Sequence, residues 1–245
     1  MEKLMEEILK VEKLNVSFAQ SLKKNRKQVL TDVSLSMKKG EILGLAGESG
    51  SGKTTIAKAI LGMIPIDQGT ITCNARTPQM VFQDPYSSLN PAKTVSWILQ
   101  EPLRMKTKET AAGRVEKVKS VLHQIGLEEN LMNRKPSELS GGQRQRICIG
   151  TALMSEPELL IADEPVSALD VTIQAQVLQL LKSIHEKKQL AILFISHDLR
   201  TMYQFCDRIV ILRNGQIVEE GKPSTLYASP KEEYTRLLLQ SAGIR

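Results

Sequence analysis

The chain has 245 residues, a formal net charge of +6, and 24% charged against 41% hydrophobic residues. That size allows one large domain with a substantial core, and no apolar run approaches the ~20 residues that a membrane-spanning helix needs. The basic excess is interleaved with acids and tightens only at Lys23, Lys24, Arg26 and Lys27, read as a solvated loop, so charge by itself identifies no nucleic-acid or membrane-surface partner.

In chain order, residues 1–10 are charged throughout and lack the apolar stretch of a secretory leader, so any work at a membrane would be done through other chains. Residues 29–37 and 41–46 read as strands divided by the turn Lys38-Lys39-Gly40, and 53–62 read as a helix. Short strands follow at 69–73 and 79–82. Between 84 and 150 loops and helical periodicity take over, which predicts an inserted helical subdomain. Alternation then resumes with strand 159–162, helix 171–188, strand 190–196, a short helix and strand 208–212. Asn214-Gly215 between the apolar runs 210–212 and 216–218 is a strong hairpin signal. Pro223 and Pro230 punctuate a short tail, 221–245, that is expected to end in an amphipathic helix over 232–240. Cys73, Cys148 and Cys206 are widely spaced and in no metal or redox pairing; they fit a reduced compartment and read as small buried apolar residues.

Gly47-Glu48-Ser49-Gly50-Ser51-Gly52-Lys53-Thr54 matches a phosphate loop, and it stands where that loop works, after an apolar strand and before a helix. The glycines let backbone N–H groups wrap phosphates at a helix N-terminus; Lys53 is expected to reach the β- and γ-phosphates and the Thr54 hydroxyl to meet Mg2+. The run Leu159-Leu160-Ile161-Ala162 delivers Asp163 and Glu164 to a strand's C-terminal end, where ligands sit in open α/β sheets. Asp163 would bind Mg2+ directly or through water, and Glu164 would polarise an attacking water.

With Leu139-Ser140-Gly141-Gly142-Gln143 between these two motifs, the chain resembles the ATPase subunit of an ABC transporter over nearly its whole length. The resemblance implies an α/β fold: a P-loop NTPase (RecA-like) core, an antiparallel β subdomain and an inserted α-helical subdomain at 84–150, within one nucleotide-binding domain spanning 1–245. It implies ATP and Mg2+ as ligands, with Glu48, Ser49 and Thr55 also in the nucleotide cradle. Ser140, Gly141, Gly142 and Gln143 would contact ATP held by an opposite subunit. Gln83 would touch Mg2+, Asp170 of Ser167-Ala168-Leu169-Asp170 would cross between subunits, and His197 would contact the γ-phosphate. Taken alone, Gln83 is a surface polar residue ending a strand, Asp170 a helix N-cap and His197 a structural histidine. Phe18 is either an adenine-stacking aromatic or a core residue. All the elements for hydrolysis are present, with Glu164, His197 and Lys53 as the catalytic set.

The stretch Val81-Phe82-Gln83-Asp84-Pro85-Tyr86-Ser87-Ser88-Leu89-Asn90-Pro91, the run Asp163-Glu164-Pro165-Val166-Ser167-Ala168-Leu169-Asp170-Val171 and the tail Tyr234-Thr235-Arg236-Leu237-Leu238 resemble the oligopeptide, dipeptide and nickel importer branch. The short tail, without the cysteine cluster of longer members, leans towards the nickel or metal-chelate type. The resemblance implies a second ATPase subunit, of different or identical sequence, two membrane permeases, an external solute-binding protein, and a peripheral place at the cytoplasmic face of the membrane. It also implies a coupling-helix groove near residues 83–91. No nucleic-acid partner is expected, although a soluble ATPase of this class acting on ribosomes or nucleic acid is the alternative. Such proteins would carry two cassettes or a long coiled coil, and a small-molecule kinase would not explain the signature segment.

Overall fold

The computed structural model describes residues 6–19, 26–106 and 109–244; Lys23 and Lys24 of the basic cluster lie outside them. Two sheets organise the chain. The larger has six strands in the order β5 (Gln79–Val81), β6 (Leu159–Asp163), β7 (Ala191–Ser196), β3 (Ile42–Ala46), β8 (Arg208–Arg213) and β9 (Gln216–Gly221). All neighbours run parallel except the hairpin pair β8 and β9. The smaller is antiparallel, in the order β2 (Arg26–Lys38), β1 (Glu7–Ala19), β4 (Gln68–Cys73).

The parallel strands are apolar without interruption because both their faces are covered, and successive side chains supply opposite cores. Leu43, Leu45, Leu159, Ile161, Leu193, Ile195, Val210 and Leu212 point into one core, which is completed by β1, β2 and helix α1 (Lys53–Ile60). Ile42, Ala46, Leu160, Ala162, Ile192, Phe194, Ile209 and Ile211 point the other way. There they meet α3 (Val95–Lys106), α4 (Ala111–Gln124), α5 (Gly141–Leu153), α6 (Val171–Lys188), α7 (Leu199–Phe205), α8 (Pro223–Ala228) and α9 (Glu233–Ser241). The segment 84–150 opens with the short α2 (Pro85–Ser88), capped by Asp84 accepting from the N–H groups of Tyr86 and Ser87, and carries α3, α4 and most of α5. Cys148 and Cys206 are buried in this second core and Cys73 is half-buried. Burial pushes the Cys148 thiol up to about 12, so it behaves as an apolar group.

Two elements depart from the expectation. Strand β1 escaped notice because its register with β2 shifts repeatedly and Lys13 and Asp32 take positive φ, so apolar residues do not alternate cleanly. Helix α8 starts at Pro223, which reads as punctuation but is a first-turn residue that needs no amide partner. The hairpin is as anticipated: Asn214 and Gly215 both have positive φ, as the two-residue turn requires.

Candidate functional site

Strand register builds the site. Ala46 lies opposite Ser196, Asp163 opposite Ile195 and Val81 opposite Ala162, so the segments following β3, β5, β6 and β7 leave the sheet along one edge. That edge receives the phosphate-loop sequence, Gln83, Asp163-Glu164 and His197.

Gly47, Gly50 and Gly52 have φ values of 152°, 80° and 110°. A Cβ on Gly47 would stand 2.3 Å from the Leu212 carbonyl oxygen, and one on Gly52 would stand 2.6 Å from Leu30. The Lys53 ammonium is buried and donates to the carbonyls of Gly47 and Glu48, both at 2.8 Å, closing the loop on itself. Burial lowers its pKa, and the charges of Glu164, Asp163 and Glu48 oppose that shift. Glu48 and Ser49 are exposed, Ser51 is buried and Thr55 is half-buried at the start of α1. The hairpin turn supports the loop from behind, since the Gly215 N–H donates to the Ser51 carbonyl at 2.9 Å.

The Thr54 hydroxyl donates to Asp163 Oδ2 at 2.8 Å. Asp163 is 4% exposed, and its pKa is raised, chiefly by burial, with the Thr54 hydrogen bond pulling the other way. Next to it, Glu164 occupies the left-handed region at φ 47° and is held there by its N–H donating to the Ile195 carbonyl at 2.9 Å. A non-glycine residue in that conformation costs about 1–3 kcal/mol and persists only where its surroundings enforce it. Its carboxylate is gripped on both sides: Gln83 Nε2 donates to Oε2 at 3.2 Å, and His197 Nδ1 lies 3.2 Å from Oε1.

This site suits a magnesium-bound triphosphate. Ser51 Oγ is buried without a hydrogen-bond partner, beside a buried ammonium. Asp163 is a buried carboxylate, a hard oxygen donor of the kind Mg2+ takes, and its pKa is raised chiefly by burial. Among the described residues no group of three or more His, Cys, Asp or Glu could hold a metal.

The signature segment is built differently. Ser140 caps α5 in a reciprocal box, its hydroxyl accepting from the Gln143 N–H at 3.3 Å while Gln143 Oε1 accepts from the Ser140 N–H at 2.9 Å. Gly142 lets α5 approach Ile173, which a Cβ would meet at 2.6 Å, and Gly141 faces Leu169. None of the hydrogen bonds of the described residues joins residues 139–143 to the phosphate loop. Asp170 caps α6, accepting from the Ile173 N–H at 3.0 Å. Phe18 stands 42% exposed on β1, which removes it from the core. Two contacts were not legible in the sequence: the grip of Gln83 and His197 on Glu164, and Tyr234 of α9, whose hydroxyl accepts from the Glu48 N–H at 3.4 Å.

Comparison with known proteins agrees with this geometry. Residues 30–167 match the ABC transporter family. A putative peptide import ATP-binding protein of Brucella ovis is 44% identical over 229 residues, 87% of this chain and 72% of that one. The oligopeptide transport ATP-binding protein OppF of Haemophilus influenzae is 40% identical over 260 residues, covering 97% and 78%. The uncharacterized ABC transporter ATP-binding protein YejF of Escherichia coli is 44% identical over 253 residues, and the chain spans 48% of its length. Among solved structures, the dimeric cassette MJ0796 bound to ADP and Pi has a TM-score of 0.78 at 28% identity, covering 88% of this chain and 98% of that one. The chain belongs to the ABC transporter family, as an ATP-binding and ATP-hydrolysing cassette.

Proposed function

We propose that this chain powers a peptide importer by hydrolysing ATP between itself and a second cassette, of the same or a different sequence. The observation that carries the chemistry is the Glu164 carboxylate held at 3.2 Å by both Gln83 and His197, beside the Thr54–Asp163 pair and the buried Lys53. The loop amides from Glu48 to Thr55 and the Lys53 ammonium hold the β- and γ-phosphates. Thr54 and Asp163 hold Mg2+, which neutralises phosphate charge when bound. Gln83 gives its amide N–H to Glu164 and has its carbonyl oxygen to offer the ion. Glu164 accepts the proton of the attacking water; Gln83 and His197 fix its rotamer, and His197 meets the γ-phosphate. Phe18, exposed on β1, stacks on adenine.

Ser140, Gly141, Gly142 and Gln143 face an ATP on the partner cassette, and Asp170 stands at the same interface. Supporting this reading, the segment is internally capped and bonds to nothing in its own phosphate loop, and the related MJ0796 cassette is described as dimeric with ADP and Pi. The helical stretch 84–150 is read as the subdomain that receives the membrane partners. Two permeases and an external solute-binding protein complete the assembly at the cytoplasmic face of the membrane. Among the described residues no helix is long and apolar enough to cross a membrane, which suits attachment through such partners. Peptide is the proposed cargo on the names of the Brucella and Haemophilus relatives; the leaning towards nickel or metal chelates finds no support in those names.

The test is Glu164→Gln in the full chain with its partners. Phosphate release should fall by about 10²–10⁴-fold, the range for a lost general base, with Mg-ATP still bound. Turnover near the unaltered rate would overturn the assignment.

A further inference from the structure

The tail helix α9 touches both ends of the nucleotide edge, although it contributes none of the residues assigned above. At its start, Tyr234 is 7% exposed, its hydroxyl accepts from the Glu48 N–H at 3.4 Å, and the Arg213 guanidinium lies 4.6 Å from its ring centroid. The peptide group joining Gly47 to Glu48 is thereby held from two sides, because the Gly47 carbonyl accepts from Lys53 at 2.8 Å. At its far end, the Ala242 carbonyl accepts from Arg200 Nε at 2.9 Å, and Arg200 stands three residues after His197.

The helix is a stiff connector between these ends. Its entry is clamped by Glu219, whose carboxylate accepts from the N–H groups of Lys231 and Glu232 at 2.9 and 3.1 Å. Its exit is a glycine stop: Gly243, at φ 68°, donates to Gln240 and Ile244 donates to Leu239, so the chain turns away and leaves the Ala242 carbonyl for Arg200. Leu239 is buried against the same core as Leu199 and Met202 of α7. The phosphate loop and the segment carrying His197 are therefore both in contact with one packed helix.

We propose that α9 is a strap joining the phosphate loop to the histidine segment, with Tyr234 and Arg200 as positioning residues at its two ends. Tyr234 sets the Glu48 amide for phosphate binding, and Arg200 holds the start of α7 so that His197 stays beside Glu164. The strap would tie the geometry of nucleotide binding to that of hydrolysis without touching substrate itself. This rests on the nucleotide-site reading above, and absence of Mg-ADP binding to the unaltered chain would sink that reading first.

The experiment uses the full chain and three variants, Tyr234→Phe, Arg200→Ala and the pair together. Mg-ADP affinity is read by calorimetry, thermal midpoint without nucleotide by scanning, and phosphate release in the assembled complex. Tyr234→Phe removes only the hydroxyl and should weaken Mg-ADP binding about threefold to tenfold, the scale of one lost hydrogen bond, and lower kcat by a similar factor. Arg200→Ala should leave Mg-ADP affinity intact and lower kcat by a similar factor. In the double variant the loss of kcat should fall short of the product of the single losses, since one strap is cut twice. Unchanged Mg-ADP affinity in Tyr234→Phe, or losses in the double variant that multiply as independent effects, would overturn the strap. A fall in thermal midpoint in Tyr234→Phe with unaltered affinity would also overturn it, because the tyrosine would then be packing alone.

Discussion

The phosphate-loop edge and the signature segment are both glycine-rich helix starts, yet they are satisfied in opposite ways. At the edge, Lys53 closes its own loop, Thr54 pairs with Asp163, and Gln83 and His197 grip Glu164, drawing on four separate stretches of chain. At the signature, Ser140 and Gln143 cap each other, and Gly141 and Gly142 allow close packing on Leu169 and Ile173. A site can be assembled inside one chain only where several strand ends converge. A capped helix start standing apart has part of its hydrogen bonding satisfied within its own segment.

The largest expected effect breaks the comparison on its assembled side. Glu164→Gln removes the proton acceptor while keeping the hydrogen bond from Gln83 possible, so phosphate release should fall by about 10²–10⁴-fold with ATP affinity retained. Ser140→Arg tests the other side: hydrolysis should drop by about 10²-fold, as for a lost oxyanion donor, while the chain alone binds Mg-ATP as before. A large loss of affinity in the isolated chain would place the signature in its own pocket. Asp170→Ala should lower unfolding free energy by about 1 kcal/mol through the lost α6 cap, read as a reduced urea midpoint.

The smallest effect sharpens the electrostatics. The Asp163 pKa is raised by burial in the nucleotide-free chain, so the folded state holds its proton more tightly than the unfolded state does. The resulting cost is absent below the ordinary aspartate pKa and is fully present above the raised one, so stability falls as pH rises through that window. Asp163→Asn should therefore raise the thermal midpoint of the nucleotide-free chain at neutral pH, with the gain fading towards acid, and should weaken Mg-dependent ATP binding. An equal gain at every pH would show that packing, not charge, is responsible.

Much of this was legible in the residues. The parallel strands declare themselves as uninterrupted apolar runs, and the span 171–188 of α6 is as the sequence expects because Asp170 caps it and Gln189, in the left-handed region, ends it. Strand β1 was not legible, because its bulges break the alternation on which strand recognition depends. Phe18 could be read either as core or as exposed, since one aromatic at a strand end carries no face information until the register is known.

The sequence alone determined the identity of the phosphate loop, the acids after β6 and the capped start of α5, because each is a local pattern whose backbone chemistry is set within about eight residues. Only the tertiary structure decided that Gln83 and His197 grip Glu164 from two other strands, that the Asn214-Gly215 turn supports Ser51, and that Tyr234 reaches Glu48 from the far end of the chain. Those contacts join residues separated by 33 to 186 positions, and such distances are closed by sheet register and core packing, which no local pattern encodes.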